Sequence, residues 1–169
     1  MIRSAALFSF LLFAFNLSSM DLLTIRKKFY AAAEDEKMSA EFLAYLNTVE
    51  QGSPLISGYK GMAHMLMAKH VFSPYTKSMH FLKGKKLLDE SVEIDKTNAE
   101  LRFLRLTVQV EAPFFLNYSS DIREDISVIR AALPQLGDQD LKRRIEAFFQ
   151  LKDLNLEGLA NCLITYFLL

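Results

Sequence analysis

The chain has 169 residues, enough for one domain, and its 51% hydrophobic and 24% charged residues exclude intrinsic disorder. Twenty Lys and Arg offset twenty Asp and Glu, which argues against generic nucleic-acid or anionic-membrane binding other than through local patches. With one cysteine, Cys162, neither an intrachain disulfide nor a Cys-based zinc site can form.

The N-terminus combines Arg3, an eleven-residue run from Ala5 to Phe15 interrupted only by Ser9, and a small polar stretch from Asn16 to Ser19. That order predicts a secretory signal peptide over residues 1–19, with residues 20–169 as a single helical domain that is secreted or periplasmic. The competing reading is a short buried helix. The run is shorter than the ~20 apolar residues of a membrane span, so no transmembrane segment is expected once the signal is removed.

Helical spacing dominates the rest. Leu22, Ile25, Phe29 and Ala32 form one stripe; Phe42, Tyr45, Leu46 and Val49 form the next. Ser53-Pro54 and Ser73-Pro74 are start signals, predicting helices from Pro54 to Val71 and from Pro74 to Ile94. Asp95 to Asn98 breaks the pattern. Leu101, Leu104 and Val108, broadened by Phe103, Leu106 and Val110, then predict a helix packed on more than one side. Ala112-Pro113 ends it, and Phe114 to Ser120 reads as a loop with aromatic anchors. Asp121 and Glu124 have capping-box spacing before a stripe of Ile122, Ile126, Ile129 and Leu133. Pro134 and Gly137 close that helix, and Asp138 caps one with Leu141, Ile145, Phe148 and Phe149 inward. No sustained strand alternation occurs. The expectation is an all-α domain of about seven to eight short antiparallel helices stacked as hairpins.

The stretch Gly84 to Leu104 resembles the second helix and inter-repeat turn of a tetratricopeptide repeat. Gly84 and Ser91 stand at the small positions, Leu88 at the large one, and Asp95-Lys96-Thr97-Asn98 in the turn. Lys96 replaces the usual proline, and Arg102 and Arg105 stand where the following repeat has a tryptophan and a leucine. The resemblance therefore implies a degenerate tetratricopeptide-like array. Through Gly58 to His70 and Leu101 to Arg105, the whole mature chain also resembles a group of secreted proteins of Bacteroidota-type bacteria, which implies an envelope location and a helical fold but no activity.

Four constellations are candidates for function. Met62, His64, Met65, Met67 and His70 carry thioether and imidazole groups suited to copper, yet helix geometry spreads them around the axis, and methionine is ordinary filler in helix packing. Gly58 and Gly61 fit close helix approach or a shallow ligand groove. Arg102 and Arg105 on an apolar helix need carboxylates, either internal (Glu100, Glu111, Asp121, Glu124 or Asp125) or from a bound peptide. Lys85–Asp89 and Lys86–Glu90 read as surface i,i+4 pairs, and Lys142 to Arg144 as solvated surface. Finally, Leu159 to Leu169 is nearly all apolar. It is expected to dock on Leu141, Ile145 and Phe148, with a remainder available for dimerisation or membrane contact.

No phosphate loop, nucleophile elbow or His-Glu-x-x-His motif occurs, so neither an enzyme nor a cofactor is expected. The leading reading is an envelope interaction module for a protein or peptide. The alternative is a small-ligand or copper binder using the Met/His helix.

Overall fold

The computed structural model describes residues 19–49, 52–152 and 154. The signal segment up to residue 18 and the C-terminal apolar segment from residue 155 lie outside the described residues. Seven α-helices and no strands are present among those described: α1 (Ser19–Ala32), α2 (Glu36–Thr48), α3 (Pro54–His70), α4 (Pro74–Ile94), α5 (Ala99–Glu111), α6 (Ile122–Ala132) and α7 (Gln139–Leu151). None of these helices is long and apolar enough to cross a membrane.

The start signals are used as their chemistry dictates. The side chains of Asp35, Ser73, Asn98 and Asp138 each accept a backbone N–H in the first turn of the following helix. Asn98 accepts two, from Glu100 and Leu101, at 3.1 Å each. Two caps differ from expectation. Ser53 stands at the N-cap of α3 without a side-chain bond, and Pro54 alone pre-sets that start. The capping box at Asp121 does not form, because its carboxylate instead accepts from the buried Gln109 amide at 3.2 Å and from the Ser120 hydroxyl at 2.9 Å.

Sequential helices from α1 to α6 pack on one another. His64 lies opposite His80 and Gly61 opposite Gly84, the pairing of antiparallel α3 and α4. Arg102 and Arg105 opposite Asp125, with Gln109 opposite Asp121, give α5 and α6 the same relation. The apolar stripes then build two cores. Ile25, Phe42, Leu46, Ile56, Tyr59, Leu88 and Leu104 belong to the first. Phe103, Leu106, Ile126, Ile129, Leu141 and Ile145 belong to the second. Helix α5 supplies both, which is why every residue from Ala99 to Leu106 is buried. Leu141 and Ile145 of α7 join this second core, and Phe148 meets Phe103 edge-on, ring centroids 5.5 Å apart. The C-terminal segment expected to dock on this stripe lies outside the described residues.

The loop after α5 also departs from its expected form. Phe114–Leu116 is a 3-10 turn closed by Asn117 in the left-handed region, and Phe114 and Phe115 are exposed rather than anchored. Tyr118 is the anchor: it is buried, donates to Asp89 at 2.8 Å and meets Phe81 edge-on.

Both candidate glycines lie at helix crossings. A Cβ on Gly58 would fall 2.4 Å from Leu101 Cδ2. One on Gly61 would fall 2.9 Å from the Gly84 carbonyl oxygen and 3.2 Å from the Leu88 nitrogen, so backbone would have to move. Gly61→Ala is expected to destabilise the domain by a net ~1–2 kcal/mol, because overpacking exceeds the helix-propensity gain of up to ~1 kcal/mol. Urea unfolding measures it. A variant as stable as the parent would mean that the α3–α4 approach is not a constraint.

Candidate functional site: an apolar groove with a lysine rim

Helices α4 and α5 are joined by the Asp95–Asn98 turn and bridged at Asp89–Arg105, 3.7 Å apart. Beyond that bridge they leave a groove of about 1060 Å³. The floor is α3, through Met62, Met65 and Leu66. Phe81 and Leu82 of α4 form one wall, and Val108 with Phe115 and Leu116 forms the other. The spacing explains the lining: Met62, Met65, Leu66 and Lys69 recur at three and four residues, as do Ser78, Phe81, Leu82 and Lys85. Leu82 and Phe115 are exposed, so the walls offer apolar surface directly to solvent.

Lys69, Lys77 and Lys85 rim this groove. Lys85 reaches Asp89 at 3.0 Å and lies over the Tyr118 ring, while Lys69 donates to the Ala33 carbonyl at 3.2 Å. The carboxylate among the lining residues, Glu111, is bonded by the Lys152 ammonium. The groove thus combines an apolar floor with a cationic edge, a pairing that favours an amphipathic ligand bearing negative charge.

The residues singled out by sequence fall elsewhere or divide. Arg102 and Arg105 do not line the groove. Both are buried, and both hold Asp125, which is fully buried: Arg102 at 2.9 Å, Arg105 at 2.7 and 2.9 Å. Arg102 also meets Glu124 at 2.9 Å. The carboxylates they grip are the chain's own, as in the internal ion-pair reading. Gly58 and Gly61 do not line the groove either and are covered by neighbouring helices.

The five Met and His groups do not converge. Met62 and Met65 face the groove, whereas His64 turns to the other side of the hairpin and meets His80, Nδ1 to Nδ1, at 2.9 Å. Met67 and His70 are outside the groove lining. No three His, Cys, Asp or Glu side chains among the described residues share metal-ligand spacing. In the His64–His80 contact one ring nitrogen donates and the other accepts, so neither ring needs a charge. Burial pushes the His64 imidazole down to about 4, helped by the nearby Lys83 and His80, and His80 is lowered by burial and Lys83.

Sequence reading missed a second buried ion-pair network. Arg26 of α1 forms a two-pronged pair with Glu100 of α5, 2.7 Å on each prong, and the Tyr59 hydroxyl donates to the same carboxylate at 2.6 Å. Arg26 also meets Asp138 at 2.8 Å, at the start of α7. The available signal was position: Arg26 falls in the arc of Leu22, Phe29 and Ala33, where a charge must be satisfied inside.

No family model, curated protein or solved structure matches this chain.

The histidine pair has a pH signature. A folded-state pKa below the unfolded value of 6.5 means that the unfolded chain binds the proton more readily. His64 therefore contributes stability that is present above pH 6.5 and is lost as pH falls toward 4, by at most ~3 kcal/mol. The depressed carboxylates of Asp138 and Asp140 lose their contribution only below 3.8. Urea unfolding at stepped pH should show a decline between 6.5 and 4 that His64→Gln flattens. An equal decline in that variant would remove His64 as its source.

Proposed function

We propose that this chain is a helical interaction module of the cell envelope whose α3–α4–α5 groove accepts an amphipathic segment of a partner protein carrying Asp or Glu along one edge. The observation that carries this reading is the groove itself, with apolar floor and walls and a lysine rim. The tetratricopeptide-like stretch from Gly84 to Leu104 supports a binding role, since stacked helical hairpins present extended concave surfaces. The charged, apolar and small-residue order of residues 1–19 supports export. The function is recognition without a chemical step.

An apolar helix face laid in a groove supplies affinity, and acidic residues against Lys69, Lys77 and Lys85 supply orientation and rate. Selection from a random peptide library on the chain from residue 20 should enrich sequences with apolar residues at helical spacing and flanking acids. Leu82→Lys with Phe115→Ser alters exposed groove walls without touching either core, and should weaken the enriched peptides by about tenfold or more while leaving the melting temperature unchanged. Equal binding to parent and double variant, or enriched peptides lacking both features, would overturn the reading.

A further inference from the structure

Charge is distributed unevenly along this neutral chain. From Gln51 to Leu88 there is no Asp or Glu, while six lysines (Lys60, Lys69, Lys77, Lys83, Lys85, Lys86) and all three histidines fall there. The α3–α4 turn and the helix turns beside it are therefore cationic, and the acids of the hairpin, Asp89, Glu90 and Glu93, gather at the far end of α4. Lys60 is buried, and Lys85 and Lys86 meet Asp89 and Glu90. Lys69, Lys77 and Lys83 are exposed, and no carboxylate among the described residues pairs with them.

The same hairpin ends in an unusual surface. At the α3–α4 turn Phe72 is 96% exposed and Tyr75 76%. In the turn after α5, Phe114 is 89% exposed and Phe115 71%. These two turns are neighbours: Lys69 and Lys77, which flank the first, share one groove end with Pro113 and Phe115 of the second. Phe72, Tyr75 and Phe114 are not part of the groove lining, and no core residue covers them. Pro74 and Pro113 restrict the backbone beside each tip, so the rings are held out on stiff turns.

Protruding aromatic tips with lysines behind them suit a soft surface better than a shaped one. A protein partner would need a matching pocket for each tip. A bilayer interface accepts aromatic rings at headgroup depth without shape matching, and its anionic headgroups attract lysines whose stems lie along the apolar boundary. We infer that this end of the molecule docks peripherally on an anionic lipid bilayer, with Phe72 and Phe114 entering the headgroup boundary and Lys69 and Lys77 meeting the headgroups. Lys69 and Lys77 are shared with the groove rim, whereas Phe72 and Phe114 lie outside the groove lining, so a change at the two aromatic tips separates membrane docking from the proposed peptide-binding role.

Vesicle flotation of the chain from residue 20 tests it, using phosphatidylcholine alone and phosphatidylcholine mixed with phosphatidylglycerol. The parent should float with the mixed vesicles, and roughly tenfold less with neutral ones or in high salt. Phe72→Ser with Phe114→Ser should lose roughly tenfold on the mixed vesicles at an unchanged melting temperature, and should still bind groove-selected peptides. Lys69→Glu with Lys77→Glu should lose the preference for anionic lipid. The inference is overturned if the parent floats with neither vesicle. It is also overturned if the aromatic variant floats like the parent, which would assign membrane contact to the apolar residues 159–169. Loss of a protein contact without vesicle binding would assign the tips to a protein partner instead.

Discussion

Helix α5 carries four buried polar side chains, Glu100, Arg102, Arg105 and Gln109, between two hydrophobic cores. Each forces a particular neighbour into place. Glu100 requires Arg26 and Tyr59, which fixes α1 and α3; Arg26 in turn reaches Asp138 and fixes the start of α7. Arg102 and Arg105 require Asp125, which fixes α6. Burial alone lowers the Arg26 guanidinium's affinity for its proton, but the Glu100 carboxylate outweighs this and holds it above the ordinary value. Burial pushes the Tyr59 hydroxyl upward, and the Glu100 charge pushes it further, so it stays a donor. Desolvation consumes much of what such pairs gain, so their effect is to penalise any arrangement that strands a charge.

The groove follows from this arrangement. Helix α5 is anchored beside α3 where Gly58 has no side chain, α4 lies against α3 at Gly61, and α5 is bridged to α4 by Arg105–Asp89 near the connecting turn. Farther along, α3 carries Met62, Met65 and Leu66, and among the described residues no ion pair draws α4 and α5 together. The helices separate there, and their apolar sides remain open. The polar bonds on α5 and the glycines on α3 therefore determine where the core is closed and where it is available to a ligand.

Much of this architecture is legible in the sequence because it depends on local signals. Ser73-Pro74, Asp138 and the apolar stripes each specify a helix through bonds within a few residues, and the observed bounds of α3 and α4 follow them closely. The double burial of α5 is readable from its wide apolar arc. The pairing of its charges is not. Asp125 and Glu124 were two of five carboxylates within plausible reach of the arginines, while Glu100 found its partner 74 residues away on α1. The capping box at Asp121 failed for the same reason, since a buried Gln109 from another helix competed for its carboxylate. The groove was invisible to periodicity, because Leu82 and Phe115 have the composition of core residues and only packing decides that they remain uncovered.

The central claim is that the buried charges on α5 act as coupled pairs that position its neighbours. A double-mutant cycle on Arg26→Leu and Glu100→Leu, read by urea unfolding, measures this for the pair that joins α1 to α5. Arg26→Leu strands the Glu100 carboxylate and is expected to cost ~3–5 kcal/mol, Glu100→Leu leaves Arg26 with Asp138 and is expected to cost less, and the double variant should cost clearly less than their sum. A coupling energy of about 2 kcal/mol or more would support the claim. Additive effects, with a coupling below ~0.5 kcal/mol, would contradict it.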